Sequence, residues 1–277
     1  MFLYTLLVLV TNCAARILSN ASFRRHFHLL LSGLVLFGPA LSLWVSQYSI
    51  FANRGQYLYR AFLRSGWGWT CVFCGSFVFL LSYCSRGSLS VTLRHLSRLA
   101  VAAAMWAGFR RGMAALENAT GSCYEPLSAG ATLGLGSGGA PSDPELPLLL
   151  LREGENKASC QVAGLVWRGY EVSEDAFLLC LCTLLIAEET AVFGPYLALG
   201  GSGGAPLRLL FLFCVALLGL WLFLLLCLLA HFPRFPTQLL GGALGCLGWR
   251  VLYQGWYRWP PGWLCPGRPG VGLFTAD

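Results

Sequence analysis

The chain predicts an all-α polytopic membrane protein of about six transmembrane helices. Three observations carry this: a mean hydropathy of +0.64, a charged fraction of 11% beside a hydrophobic fraction of 56%, and several apolar runs long enough to cross a bilayer. Ordinary soluble domains carry about 25% charged residues. A soluble core built from 277 residues would not hide this much apolar surface. The net charge is +7, but the basic residues lie in short groups between apolar runs, as membrane flanks do. Nucleic-acid binders cluster Lys and Arg with stacking aromatics, so no nucleic-acid partner is expected. The ten Trp and ten Tyr suit interfacial belts.

Residues 1–18 are apolar but broken by Thr11, Asn12 and Arg16. They lack the basic start of a signal peptide and read as an extra span or an interfacial helix. The first span is expected at 28–45, with a kink at Pro39. The second, 66–83, opens on Trp67 and Trp69. A basic loop from Arg86 to Arg98 leads to the third, 99–116, which contains Arg110 and Arg111. A long acidic loop, 118–170, follows, and its Ser128–Pro147 part is a Gly-, Ser- and Pro-rich linker. The remaining spans are expected at 177–199, 207–230 and 239–254, completing a single membrane domain.

Six spans place both termini on one side. The positive-inside tendency makes that side cytosolic, because Arg24, Arg25, Arg86, Arg94, Arg98, Arg258 and Arg268 then all face the cytosol. The acidic loop becomes lumenal. Arg54, Arg60 and Arg64 also fall on the lumenal side, where they would clamp a phosphate or anchor the chain at the interface. In this topology the start of the fourth span and the His231–Pro236 break after the fifth converge on one aqueous rim. Ser173 and Asp175 stand at that rim.

Glu188 and Glu189 lie about 17–20 Å deeper, at ~1.5 Å per helical residue. Charges at that depth need a partner or a function. Arg110 and Arg111 on the third span are the expected partners for intramembrane charge pairing, in preference to a direct catalytic or metal role. Two carboxylates without nearby His make a thin metal signal, and no metal or other cofactor is implied. Most of the twelve cysteines lie in apolar runs and read as small buried side chains. Cys123 and Cys160 differ: both sit in the long loop and would form a disulfide if it faces an oxidising compartment. The sequons at Asn20 and Asn118 lie on the cytosolic side and at a membrane edge, so neither is expected to carry glycan reliably.

Several words of the sequence resemble the fat storage-inducing transmembrane (FIT) family. They are Gly66-Trp67-Gly68-Trp69-Thr70-Cys71, Arg94-His95-Leu96-Ser97-Arg98-Leu99, Thr120-Gly121-Ser122-Cys123-Tyr124-Glu125-Pro126-Leu127, Trp167-Arg168-Gly169-Tyr170, Phe177-Leu178-Leu179, Ala187-Glu188-Glu189, Gly219-Leu220-Trp221 and Gly255-Trp256-Tyr257. The resemblance implies a six-span protein of the endoplasmic reticulum, with cytosolic termini and a bundle similar to that of lipid phosphatases. It implies a role in lipid droplet formation, with triacylglycerol and diacylglycerol as ligands, and it marks Phe177, Leu178 and Leu179 as lipid-binding. The alternative reading of those three residues is a lipid-facing or helix-packing surface, common to any span. The resemblance also implies a lumenal site built on two histidines, used by one branch as a fatty acyl-CoA diphosphatase. This chain departs at both positions, with Asp175 at the first and Pro233 at the second.

Two functions follow. One is a non-enzymatic protein that binds neutral lipid in the bilayer and promotes its partition into droplets. The other is a hydrolase of fatty acyl-CoA or related lipid phosphates, with Asp175, His231 and Ser173 as the candidate catalytic residues. Its difficulty is phosphoryl transfer without a nucleophile at the expected place. A transporter ranks below both, since the hydropathy pattern shows no inverted repeat.

Overall fold

The computed structural model describes residues 2–46, 48–53, 55–126, 149–152, 157–201, 203–232, 234–259 and 265–273. The chain forms two compact units: residues 1–106 with 172–277, and residues 107–171. The architecture is all-α and polytopic, as expected.

In the larger unit, α1 (Phe2–Ser19) and α2 (Ala21–Phe37) are separated by Asn20 alone. The Asn20 side-chain oxygen accepts from the backbone N–H of Ser22 at 3.0 Å, a local cap for one of the free donors that open a helix. The helix therefore begins ahead of residue 28, and Arg24 and Arg25 belong to it. Pro39 lacks a donor, and the chain past Phe37 tightens into a 3₁₀ segment, Gly38–Leu43. After α3 (Gly66–Arg86), α4 runs without a break from Leu89 to Thr120. Its 32 residues absorb the expected basic loop, because Arg is a good helix former and no Gly or Pro interrupts Leu89–Ala107.

The centre of this unit is α6 (Glu174–Thr190). Fourteen of its seventeen residues are buried, as expected of a helix that is apolar on every face. It ends in a turn at Ala191–Val192, and α7 (Phe193–Ala198) follows. Around α6 pack α3, α8 (Ala205–His231) and α9 (Phe235–Trp249), with further contacts from α1 and α2. The α6–α9 approach depends on two glycines. A methyl group at Gly245 would sit 2.7 Å from the Phe177 carbonyl oxygen, and one at Gly241 would overlap the Ser173 carbonyl. Polar bonds fix other pairs. Trp221 Nε1 of α8 donates to Thr70 Oγ1 of α3 at 3.1 Å, and Arg208 donates to Asn12 of α1 at 3.0 Å. Phe77, Phe193 and Phe211 form a ring cluster with centroids 4.7–5.9 Å apart. Beyond α9 the helix widens into a π-helical segment, Arg250–Gly255, and then tightens into a 3₁₀ turn, Trp256–Arg258. The final segment is tied back by Ser85 and Arg86, which donate to the carbonyls of Leu273 and Gly272 at 2.8 and 2.7 Å.

Among the described residues, five helices are long and apolar enough to cross a membrane: Phe2–Ser19, Ala21–Leu43, Gly66–Arg86, Glu174–Ala198 and Ala205–His231. The expected third and sixth spans lie on α4 and α9, which fall short of that measure; α9 has only 15 residues.

The smaller unit holds the end of α4, a three-stranded antiparallel sheet and a short helix. Strand β1 (Ser122–Pro126) is central, between β2 (Leu149–Arg152) and β3 (Val166–Arg168). A disulfide joins Cys123 on β1 to Cys160 on α5 (Lys157–Val162). Lys157 pairs with Glu117 at 2.7 Å. A plain loop was expected here. The strands are three to five residues long and their pairing is not local, so no hairpin signal marks them. The Ser128–Pro147 linker lies outside the described residues.

Candidate functional site

The start of α6 and the turn between α8 and α9 do meet. The backbone N–H of Ser173 donates to the Thr237 carbonyl at 3.1 Å. The Ser173 hydroxyl oxygen accepts from the Ala176 N–H at 3.2 Å, capping α6. Glu174 and Asp175 occupy the first turn of that helix, half-buried, where the positive end of the helix dipole favours carboxylates. His231 is the last residue of α8 and is half-buried too. Pro233 lies outside the described residues.

Gln238, which sequence reasoning missed, closes the turn. Its side-chain amide donates to the carbonyls of Phe232 at 2.7 Å and Leu228 at 3.2 Å. Its oxygen accepts from the Arg234 N–H at 3.3 Å. Tyr59, on the π-helical segment Tyr59–Leu63, sets its ring edge-on to Phe232 with centroids 6.0 Å apart. That segment brings Arg60 and Arg64 to the same end of the bundle as His231. Both are exposed and line an open cavity of about 490 Å³. Arg54 lies outside the described residues.

Phe177, Leu178 and Leu179 begin one turn below the rim, and all three are buried. Phe177 stacks on Trp106 with ring centroids 5.8 Å apart, and Leu178 packs against Gly66. At these positions the side chains are enclosed by neighbouring helices and do not form a lipid-facing surface.

The two glutamates lie in the last turn of α6, where the helix dipole is negative and disfavours them. Arginines offset that, but not the pair expected. Glu189 takes a two-pronged contact from Arg98, Nε to Oε1 and Nη2 to Oε2, both at 2.7 Å. Tyr253 OH adds a third donor at 2.8 Å. Both charged side chains are at most 2% exposed. Glu188 pairs with Arg24 at 2.5 Å. Arg110 and Arg111 belong to the smaller unit. Sequence reading did not offer Arg98 as a partner because residues 86–98 read as loop. Once α4 is continuous, Arg98 falls on the face that also buries Thr92, His95 and Ala102. That spacing of three and four is the signal that would have found it.

His95 completes the network. Arg98 Nη1 lies 2.6 Å from its Nδ1. Guanidinium only donates, so Nδ1 accepts and the ring is neutral. His95 precedes the apolar stretch of α4; burial first, then the neighbouring Arg98 and Arg94 charges, push it down to about 3. A bidentate, buried, neutralised cluster of this kind locks α4, α6 and the segment after α9 together. None of its members faces Ser173 or His231, so it is a structural fastening and not part of the rim.

Comparison with known proteins gives a consistent result. The description "Fat storage-inducing transmembrane protein" (FIT) matches residues 47–199. The chain is 69% identical over all its 277 residues, and over 94% of the relative, to fat storage-inducing transmembrane protein 1 of Danio rerio. It is 46% identical to the Homo sapiens protein of the same name, over 94% of this chain and 82% of that one. It is 31% identical to acyl-coenzyme A diphosphatase FITM2 of Xenopus tropicalis, over 93% and 92% of the two chains. No solved structure matches. The matches run the length of the bundle that carries the rim, and the chain belongs to the fat storage-inducing transmembrane family.

Proposed function

We propose that this chain is a multi-pass protein of the endoplasmic reticulum, with cytosolic termini, that binds triacylglycerol and diacylglycerol and promotes their partition into lipid droplets without complete hydrolytic chemistry. The observation that carries the reading is the rim. Its two segments are held together by the Ser173–Thr237 bond, yet the positions that the family resemblance gives to histidine hold Asp175 and Pro233. The Ser173 hydroxyl is engaged as a helix cap. A carboxylate at 175 would act as a proton donor only with a strongly raised pKa, and proline offers neither nucleophile nor acid. The Cys123–Cys160 disulfide supports a lumenal placement of the smaller unit, since such bonds persist in oxidising compartments.

The second reading is a fatty acyl-CoA diphosphatase, with Asp175 and His231 as stand-ins. It is favoured by the name of the Xenopus relative, acyl-coenzyme A diphosphatase, and by the presence of Arg60 and Arg64 at the His231 end. Purified protein separates the two. The expected result is binding of labelled triacylglycerol or diacylglycerol, and acyl-CoA cleavage no faster than the blank. Cleavage above the blank that disappears in His231→Ala would overturn the first reading. Joint replacement Asp175→His with Pro233→His is expected to raise cleavage.

A further inference from the structure

At the far end of α6 from Ser173, a second cavity of about 740 Å³ opens beside Glu188. Three stretches of chain, distant in sequence, bring arginines to it: Arg24 and Arg25 from α2, Arg250 and Arg258 from the helical segment after α9, and Arg268 from the final segment. Among the described residues Glu188 is the one acid in the lining, and it is already paired with Arg24. Among the described residues, five guanidinium groups face one carboxylate, a surplus of four positive charges. Arg25, Arg250, Arg258 and Arg268 make no ion pair with another described residue. The remaining wall is largely apolar, with Val192, Pro195 and the buried Tyr253 ring. All five arginines are exposed, and all five line one open concavity of the size that takes a small molecule.

The charge count selects among ligands. A single carboxylate would neutralise one of the four surplus charges. A phosphomonoester carries close to two at neutral pH and offers three acceptor oxygens, which the planar guanidinium fork matches in pairs. The apolar wall favours a ligand whose phosphate is attached to a nonpolar portion. We propose that this cavity binds a phosphomonoester group, presented either by an anionic lipid headgroup or by a soluble phosphorylated compound. The site is separate from the rim and does not depend on the function proposed above.

The test uses the full chain purified in a neutral detergent, with four probes: dioctanoyl phosphatidate, dioctanoyl phosphatidylcholine, coenzyme A and inorganic phosphate. Affinity is read by thermophoresis at low and moderate salt. The expected result is that phosphatidate or coenzyme A binds more tightly than phosphatidylcholine. That binding is expected to weaken about ten-fold or more in Arg250→Gln with Arg268→Gln and to fall as salt rises. Arg60→Gln with Arg64→Gln, at the other end of the bundle, is expected to leave it unchanged. Preference for phosphatidate assigns the site to a lipid headgroup, and preference for coenzyme A or phosphate assigns it to a soluble ligand. Should the double variant aggregate, Arg268→Gln alone makes the same comparison from outside the helices. Equal binding of all probes, or an affinity unaltered by these substitutions, would overturn the proposal.

Discussion

Replacing Arg98 by alanine would leave Glu189 buried with Tyr253 as its remaining donor among the described residues. Glu189 is almost fully enclosed, as Arg98 is. Removing one partner of such a pair costs about 3–5 kcal/mol, because the survivor is a buried, uncompensated charge. For a chain of this size, with a shift of about 2–4 °C per kcal/mol, the midpoint of thermal unfolding should fall by about 6–20 °C. Arg24→Ala supplies the internal comparison. Arg24 also pairs with a glutamate, but its side chain is 46% exposed. Solvent screens that pair, so its loss should cost at most about 1 kcal/mol. The assay is thermal unfolding of purified protein in detergent, followed by tryptophan fluorescence. Removing both charges, with Arg98→Met and Glu189→Leu, should recover at least half of the loss, since what then remains is unsatisfied neutral groups at about 1–3 kcal/mol. Equal shifts for Arg98→Ala and Arg24→Ala, or a double variant worse than the sum of its parts, would refute the view that this pair fastens the bundle.

Three further predictions follow from the same geometry. His95 has its folded pKa lowered to about 3 from an unfolded value near 6.5, so the unfolded chain binds the proton first. Its contribution is neutral above about pH 6.5 and becomes destabilising as pH falls towards 3, by about 1.4 kcal/mol per pH unit. His95→Gln should flatten that acid limb of the unfolding midpoint. Cys123→Ser opens a loop spanning 37 residues, which costs about 4 kcal/mol in the chain-entropy account; the smaller unit should become sensitive to limited proteolysis while the larger unit resists. Gly245→Leu would drive a side chain into the Phe177 backbone. Overpacking of this kind costs about 1–3 kcal/mol or more, so the variant should express poorly, whereas Gly219→Leu, with open space at its Cβ, should not.

The all-α bundle was legible because α6 and α8 carry long apolar runs that leave no other structure, α6 enclosed by its neighbours and α8 partly exposed. Convergence of Ser173 with the α8–α9 turn was legible as well, because short connections constrain which ends meet. Helix limits were harder. Hydropathy reports where polarity changes, and the backbone of α4 continues through its basic stretch because Arg and His do not break helices. The error at Arg98 followed directly: a buried arginine in an apparent loop has no visible face. The arginine-lined cavity was illegible for another reason. Arg24, Arg250 and Arg268 are more than two hundred residues apart at the extremes, and only tertiary packing makes them neighbours. The small sheet, with its pairing across residues 126 to 149, was hidden in the same way.

The enclosure of α6 begins at Ala176, a single residue past Asp175. Every position from there to Ala187 is hemmed in by neighbours, while 173–175 are only half covered. A substitution at 175 therefore alters the chemistry offered to water and leaves the packed interior almost untouched. Such a scaffold allows reactivity to be lost or regained in a lineage while the greasy architecture beneath stays in place, so that close kin share a bundle without having to share a reaction.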